Sequence, residues 1–305
     1  MNPRLKILLL GKSGQIGWEL QRSLAPLGEL HALGRHEERF CGDLGDLQGL
    51  IETVVAIKPD IIINAAAYTA VDKAESETEL ARTVNALAPG ALAEVAQSIG
   101  AWLVHYSSDY VFDGSGTLPW KETDTPAPLS NYGRFKLEGD SLVARRCAKY
   151  LIFRSSWVYA ARGDNFAKKV LALSRERDQL AVVNDQIGAP TGADLIADVT
   201  AHALRCALNA KSDDGRAYAG LYHLAAAGET SRHNYACFVV AQAQRLGIAL
   251  RANVANIAPA STSAFSALAE RPCNSRLDTT KLKSVFGLTL PPWQPGVERM
   301  LNELL

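Results

Sequence analysis

The sequence predicts an α/β fold: a doubly wound parallel sheet followed by a smaller C-terminal region. A glycine-rich turn follows a short apolar run at residues 5–10, and apolar runs then alternate with helical patterns. Repeated β–α units with short links are typical of parallel sheets covered by helices on both faces. The pattern loosens after residue 157. We therefore expect a Rossmann-like domain over residues 1–157 and a second region over residues 158–305, partly interleaved with the first.

Continuous apolar runs in the first half predict strands buried on both faces of the sheet, and apolar residues at helical spacing predict helices. The predicted strands cover residues 5–10, 30–33, 60–64, 101–107 and 150–154. The predicted helices cover residues 14–26, 47–57, 75–99 and 132–148. A bend is expected in the third helix at Pro89, because proline lacks a backbone N–H.

The second half has fewer strong patterns. Helices are predicted over residues 165–175, 194–208, 231–246 and 297–305, and proline and serine cluster between residues 259 and 272. We expect this half to form a smaller substrate-binding region, assembled partly from excursions of the same chain.

Composition excludes several classes of protein. The 305 residues include 32 Lys+Arg and 32 Asp+Glu, so the formal net charge is zero and nothing favours binding to nucleic acid or to a membrane surface. The first apolar run is too short to span a membrane and lacks a cleavage site, which favours a cytoplasmic protein. The five cysteines are scattered, so we expect free, buried thiols and no zinc site: Cys41, Cys147, Cys206, Cys237 and Cys273.

The glycine-rich turn reads Gly11-x-x-Gly14-x-x-Gly17 and separates the first strand from the first helix. In such turns the first glycine permits a tight turn, the second lets the backbone approach a pyrophosphate, and the third allows helix and sheet to pack closely. The helix N-terminus and its dipole favour phosphate groups. The turn therefore predicts a nicotinamide dinucleotide site, in which we also expect Ser13, Gln15 and Ile16.

The end of the second strand bears on the choice of cofactor. It reads Leu33-Gly34-Arg35-His36, without the acid that NAD-preferring sites place there to bind the ribose 2′-hydroxyl. Arg35 could instead hold a 2′-phosphate bidentately, which favours NADPH over NADH. Further cofactor contacts are expected near the adenine and on the small residues after the third strand: Asp43, Leu44, Ala65, Ala66 and Ala67.

Tyr132 and Lys136 share one face of a predicted helix. A free phenol has a pKa near 10, and we expect the ammonium of Lys136 to lower the pKa of Tyr132. Tyr132 would then donate its proton to a substrate carbonyl as hydride reaches the carbon, while Lys136 holds the nicotinamide ribose. Ser108, at the end of a strand, is expected to bind the same carbonyl oxygen. Asn85, on the third predicted helix, either supports Lys136 through water or has a plain helix-capping or surface role.

These motifs together resemble those of the dTDP-4-dehydrorhamnose reductases, a branch of the extended short-chain dehydrogenases/reductases. One departure is Ser108, where threonine is common in the family, and the hydroxyl is retained. The resemblance extends from about residue 6 to residue 305, and its most specific segments are residues 64–75, 107–114, 132–136, 154–159, 184–191, 271–277 and 292–293.

The resemblance implies the last step of dTDP-L-rhamnose synthesis, in which NADPH (or NADH) reduces the C4 ketone of dTDP-6-deoxy-L-lyxo-4-hexulose. It implies that Ser108, Tyr132 and Lys136 form the catalytic set. It also implies that Asp109 and Tyr110 flank the sugar and that Trp157 walls the sugar site. Contacts to the nucleotide or its diphosphate are implied for Asn184, Gln186 and Arg276.

The resemblance also bears on assembly. Some members of the family form homodimers bridged by Mg²⁺ through carboxylates, which suit a hard cation. The matching positions in this sequence are Glu19, Asp194 and Asp198. A homodimer with Mg²⁺ at its interface is therefore an expectation.

Other interpretations stay open at this point. A sugar-nucleotide 4,6-dehydratase would carry an Asp-Glu pair after the catalytic hydroxyl, whereas Ser108 is followed by Asp109 and Tyr110. An epimerase would want an acid at the second strand tip. A reductase of another nucleotide keto-sugar fits the same motifs. A non-catalytic protein similar to the regulatory subunit of methionine adenosyltransferase is the alternative from a different class.

Overall fold

The computed structural model describes residues 5–210 and 213–305. Its centre is a six-stranded parallel sheet flanked by helices, which confirms the α/β class. The first four residues of the first predicted domain lie outside the described part. The strands are β1 (Lys6–Leu10), β2 (Glu29–Leu33), β3 (Ile61–Asn64), β4 (Trp102–Ser108), β5 (Tyr150–Ser155), β6 (Val158–Tyr159), β7 (Leu180–Val183), β8 (Ile187–Gly188), β9 (Thr191–Gly192), β10 (Gly220–His223), β11 (Thr230–Ser231) and β12 (Ile257–Ala260).

Helices connect most of these strands. The α-helices are α1 (Gln15–Leu24), α2 (Leu47–Ile57), α3 (Thr78–Arg82), α4 (Ala88–Ile99), α5 (Asn131–Arg146), α6 (Phe166–Glu176), α7 (Ala193–Leu208), α8 (Arg232–Arg245), α9 (Thr280–Phe286) and α10 (Trp293–Leu304). Short 3₁₀ helices lie at Lys73–Glu75, Asp109–Val111, Asp213–Tyr218, Val254–Asn256 and Thr262–Ala264. None of the described helices combines the length and apolar character needed to cross a bilayer.

The large sheet has the order β10-β5-β4-β3-β1-β2. Helices cover both faces of the sheet, which explains why β1 reads as a continuous apolar run: Ile7 and Leu9 face one core, Leu8 and Leu10 face the other, and all four are fully buried. Strand order reverses beside β1, because β2 lies on one side of it and β3 on the other. Doubly wound sheets bind ligands in the crevice at the carboxyl ends of the strands beside such a reversal.

Each face of the sheet carries its own hydrophobic core. Helices α2, α4 and α5 cover one face, and α1, α7 and α9 cover the other. Thr200 of α7 bonds to the hydroxyl of Tyr106 in β4, with 2.8 Å between the oxygens. Helices α7 and α9 and strand β10 come from the second half of the sequence, so this half contributes two helices and an edge strand to the layers around the large sheet.

The bend expected near Pro89 takes the form of a π-turn at Thr83–Leu87, between α3 and α4. The N–H of Ala88 donates to the carbonyl of Thr83, five residues back, and Pro89 has no N–H to offer the carbonyl of Asn85. A Cβ at Gly139 of α5 would lie 2.3 Å from that oxygen. The π-turn and the glycine together bring α5 into close contact with this helix.

A third hydrophobic core lies in the second region, between α6, α8 and α10. Three two-stranded sheets, β6–β9, β7–β12 and β8–β11, link its loops. All five cysteines are free, as expected, but the expectation that they are buried is wrong for most of them. Cys147 is buried and Cys273 is exposed, with the other three in between.

Candidate active site

A cavity of about 940 Å³ opens at the carboxyl ends of β1, β3, β4 and β5. The structure brings almost every predicted cofactor residue to this cavity, with the exception of Gly17. Four predicted substrate residues also line it: Ser108, Asp109, Tyr110 and Trp157. One cavity therefore joins the glycine turn to the catalytic residues.

The three glycines of the turn have different roles. A Cβ at Gly17 would lie 2.0 Å from the carbonyl oxygen of Gly11, so this glycine keeps α1 packed on the turn. Gly11 has φ +88°, and a Cβ there would lie 2.7 Å from the backbone nitrogen of Ala66. A Cβ at Gly14 would make only an ordinary contact, at 3.5 Å from the Gly11 oxygen, and Gly14 itself lines the cavity. Gly14 and the N–H groups of the first turn of α1 fit a dinucleotide pyrophosphate.

The sequence predicts no acidic group at the end of β2, but in the structure a carboxylate does lie near it. Glu37 Oε1 accepts a hydrogen bond from the Gly34 N–H at 2.8 Å and lies 2.6 Å from Lys12 Nζ. The sequence pattern missed Glu37 because it follows the tip by three residues. Arg35 lines the cavity and pairs through Nε with Asp43 Oδ2 at 3.0 Å.

The catalytic hydroxyls meet because α5 approaches the end of β4 closely. The Ser108 hydroxyl donates to Asp109 Oδ1 at 3.1 Å and accepts the Tyr110 N–H at 3.2 Å. A Cβ at Gly133 would lie 2.1 Å from the carbonyl oxygen of Tyr110, so only glycine allows this approach. The rings of Tyr110 and Tyr132 meet edge to face, with centroids 5.5 Å apart.

The expectation that Lys136 lowers the pKa of Tyr132 is wrong for this structure. Burial raises the pKa of Tyr132, and the Ser108 hydroxyl opposes that shift only in part. Lys136 Nζ instead donates to the carbonyl oxygen of Tyr106 at 2.5 Å. Burial lowers the pKa of Lys136 to about 8, against the opposing charge of Asp140. Tyr132 is therefore a protonated phenol at neutral pH, as a proton donor must be.

The substrate side of the cavity includes a strained residue. Trp157 has φ +50°, a conformation that is uncommon for a bulky residue and that clusters at functional sites. The guanidinium carbon of Arg232 lies 3.8 Å from the centroid of the Trp157 ring. Arg232 could not be predicted as a site residue, because no motif surrounds it and α8 lies far along the chain from β5. Burial raises the pKa of Asp109 to about 6, while the Ser275 and Ser108 hydroxyls oppose that shift.

Three predicted substrate residues do not line the cavity. Asn184 Oδ1 accepts the Ser231 hydroxyl at 2.7 Å. Gln186 Nε2 donates to the Thr262 hydroxyl at 3.2 Å, and Arg276 Nε pairs with a Glu229 oxygen at 2.7 Å. In this structure these side chains tie together the loops of the second region, and their role in nucleotide binding stays a prediction.

Asn85 is buried within the π-turn, so the expectation of a surface role is wrong. Its Oδ1 accepts the Tyr68 N–H and its Nδ2 donates to the Tyr68 carbonyl, both at 2.9 Å. Both ends of the amide are therefore used on the segment that follows β3. This contact fixes the alanine segment on which a cofactor would lie.

The three carboxylates assigned to Mg²⁺ do not form a common site. Asp194 Oδ2 lies 3.2 Å from a guanidinium nitrogen of Arg299. Asp198 Oδ1 accepts from Arg22 at 2.9 Å and from the Ser23 hydroxyl at 2.6 Å. No group of three metal-binding side chains occurs among residues 5–210 and 213–305. Because cationic partners occupy two of these carboxylates, the residues present do not fit a Mg²⁺ ion within one chain.

Comparisons with known proteins agree with this geometry. The family model described as RmlD substrate binding domain matches residues 5–305. The chain is 56% identical over 300 residues to a dTDP-4-dehydrorhamnose reductase of Escherichia coli (strain K12), covering 98% of each chain.

Two solved structures extend the comparison to the fold. A dTDP-4-dehydrorhamnose reductase of Clostridium acetobutylicum superposes with a TM-score of 0.87 at 32% identity, covering 98% of this chain and 99% of that one. The Bacillus anthracis protein of the same name, solved in complex with NADP, superposes with a TM-score of 0.86 at 32% identity and the same coverage.

Proposed function

This chain belongs to the dTDP-4-dehydrorhamnose reductase family, and on that premise we propose that it reduces the C4 ketone of dTDP-6-deoxy-L-lyxo-4-hexulose to dTDP-L-rhamnose with NADPH. The observation that carries the proposal is the meeting of Ser108 and Tyr132 with the glycine turn in one cavity. The match along the whole chain supports this reductase over a non-catalytic regulatory subunit or a reductase of another keto-sugar.

NADPH, when bound, supplies a hydride to the carbonyl carbon. Tyr132 donates its phenolic proton to the carbonyl oxygen, so that hydride and proton together convert the ketone to an alcohol. The Ser108 hydroxyl binds the same oxygen and orients it toward Tyr132. Lys136 binds the nicotinamide ribose, which its place in the cavity permits.

Asp109 and Tyr110 flank the sugar in this proposal, and Trp157 forms its wall. All three line the cavity next to Ser108. Contacts from Asn184, Gln186 and Arg276 to the nucleotide rest on the resemblance alone.

Preference for NADPH over NADH rests on Arg35. Its Nε pairs with Asp43, which leaves the two terminal nitrogens of the guanidinium for a 2′-phosphate. Asp43 and Leu44 line the same part of the cavity and would contact the adenosine half.

A cytoplasmic homodimer remains a proposal that rests on the resemblance. Because Mg²⁺ does not fit the carboxylates of one chain, no step of the reaction depends on it here. Light scattering with and without EDTA would test the dimer. A shift from dimer to monomer in EDTA would support a metal ion that bridges the two chains.

The deciding experiment supplies the keto-sugar, made in situ from dTDP-glucose by upstream enzymes, and follows NADPH absorbance. Wild-type protein is expected to oxidise NADPH, and Tyr132→Phe to lose about 10²-fold or more in rate, the scale of one general acid. The variant should still bind NADPH. If the wild-type protein binds NADPH but does not oxidise it, this keto-sugar is ruled out as the substrate. Assays with other keto-sugars, and co-purification with a synthetase, would then decide between the remaining functions.

A further inference from the structure

Arg232 is the first residue of α8, and its side chain lines the substrate side of the cavity. Its guanidinium carbon lies 3.8 Å from the Trp157 ring centroid and 4.9 Å from the Phe166 ring centroid. The backbone N–H of Arg232 donates to the Gln186 carbonyl at 3.1 Å, which fixes the start of the helix. Stacking therefore holds the guanidinium by its face and does not occupy its N–H donors, which lie in its plane.

No ion pair or side-chain hydrogen bond joins Arg232 to a protein group in the described ranges. The other cations of the cavity have different surroundings. Arg35 pairs with Asp43, Lys136 donates to a backbone carbonyl, and Lys73 is exposed. Arg232 thus combines a position in the cavity wall with a guanidinium that has no acceptor among the described residues.

Arg232 is half-buried, and even partial burial of an unpaired charge is unfavourable unless a partner of opposite charge is supplied. Burial lowers the pKa of Arg232, while nearby Tyr110 and Asp109 oppose that shift, and an arginine keeps its charge at neutral pH. The charge of Arg232 therefore favours a ligand that places an anion beside Trp157. A phosphate group matches both the charge and the fork of N–H donors.

We propose that Arg232 binds the diphosphate of the nucleotide-sugar substrate, with the ring of Trp157 holding the guanidinium in place. The inference rests on the proposed function, because it assumes a nucleoside diphosphate sugar in this cavity. The pyrophosphate of the cofactor is assigned to the helix N-terminus at the glycine turn, and none of the Arg232 contacts described above involves that turn.

The test measures the affinity of wild-type protein and of Arg232→Met for dTDP, thymidine and NADPH by calorimetry. Methionine keeps an apolar stem over Trp157 and removes the charge. We expect the Kd for dTDP to rise about 10- to 100-fold, the scale of one hydrogen bond to a charged group. The Kd values for thymidine and NADPH should stay within about twofold, since neither the base nor the cofactor would touch Arg232.

Variants of two other arginines serve as a control and a comparison for Arg232→Met. Arg251→Gln removes an exposed arginine that pairs with Asp178 on the surface and serves as the matched control. Arg276→Gln removes the arginine to which the resemblance gives the same role. Arg232→Lys retains the charge without the planar fork and should recover part of the dTDP affinity.

Steady-state kinetics provide a second, independent test of the role of Arg232. Contact with the diphosphate is made equally in the ground state and the transition state, so Arg232→Met should raise KM for the keto-sugar and leave kcat nearly unchanged. A fall in kcat with constant KM would instead place Arg232 at the reacting carbonyl and overturn the inference.

The remaining outcomes separate the two proposals. Wild-type protein that does not bind dTDP would contradict the proposed function itself. Wild-type binding with an unchanged dTDP affinity in Arg232→Met would overturn the role of Arg232, and so would selective loss in Arg276→Gln alone. Parallel loss of dTDP and thymidine would show a merely structural role. Should the methionine variant not fold, Arg232→Gln is measured against the same ligands and the same criteria.

Discussion

Arg154 of β5 and Asp140 of α5 form an ion pair inside the protein, with Arg154 Nε donating to Asp140 Oδ2 at 3.0 Å. Only 4% and 3% of the two side chains are exposed. The same carboxylate oxygen accepts the Ser107 hydroxyl at 3.0 Å. The pair therefore joins the helix that carries Tyr132 to the two strands that end at the cavity.

Asp140→Asn is expected to lower the free energy of unfolding by about 3–5 kcal/mol, because Arg154 would stay buried without its counter-charge. Urea denaturation measures this loss. Asp178→Asn is the matched control, since Asp178 and Arg251 form a pair whose side chains are 71% and 58% exposed. Its loss should stay below about 1 kcal/mol. Similar losses in the two variants would contradict the importance of the buried pair.

Lys136 predicts a stability that depends on pH. Burial lowers the pKa of Lys136 from 10.5 to about 8, so between these pH values the unfolded chain binds more protons than the native one. The free energy of unfolding then rises with pH across this window. At pH 7 the buried ammonium costs about 3 kcal/mol, from the size of the shift. Lys136→Met removes this cost and should be more stable than wild type by that amount.

The advantage of the Lys136→Met variant should disappear as the pH rises from 8 to 10.5. Urea unfolding of both proteins without cofactor, at pH 7 and at pH 10, checks this, because other titrating groups cancel in the difference. Lys169→Met, at an exposed position of α6, should show no such change. A difference between wild type and Lys136→Met that is constant with pH would show that the pKa of Lys136 is not lowered in the native protein.

We expect alanine at Gly14 and alanine at Gly17 to affect different properties: NADPH affinity for the first and stability for the second. Gly14→Ala should fold with unchanged stability, because the added methyl group meets only the Gly11 oxygen at an ordinary distance. It should bind NADPH about tenfold less tightly or worse, because Gly14 lines the cavity where the backbone must approach the pyrophosphate. Gly17→Ala should lose more than about 2 kcal/mol of stability, because its Cβ would overlap the Gly11 oxygen. Thermal melts and NADPH fluorescence titrations separate the two. Equal loss of stability in both variants would argue against separate roles.

Arg35→Ala is expected to raise KM for NADPH about tenfold or more while KM for NADH changes little, since a 2′-phosphate is the group that differs. Steady-state kinetics with each cofactor measures the ratio of KM for NADPH to KM for NADH. Glu37→Gln serves for comparison, because it removes the carboxylate near the same strand tip. If only Glu37→Gln alters the ratio, cofactor choice depends on Glu37 and Lys12.

The sheet and most of the cavity were predictable because their signals are local. The glycine turn is recognised from the glycine spacing after a buried strand. The Tyr-x-x-x-Lys pair is recognised from its spacing within one helix. Strand ends on one sheet edge then bring Ser108 to the glycine turn without further information.

The parts that the sequence did not predict depend on distant contacts. Strand β10 reads Gly-Leu-Tyr-His, too short and mixed for a pattern, and becomes a strand because β5 offers it a free edge. Arg232 enters the cavity only because α8 begins beside Gln186. The pKa of Tyr132 depends on burial, which the spacing to Lys136 does not reveal.

The place of β10 in the sheet has a consequence for synthesis on the ribosome. Its partner β5 is complete at Ser155, but β10 begins only at Gly220. At ~5–20 residues per second, the edge of β5 stays unpaired for several seconds while the intervening chain is made. An unpaired strand edge attracts other chains. The nascent protein therefore passes through a stage at which it is open to aggregation, and chaperones that bind nascent chains would act at that stage.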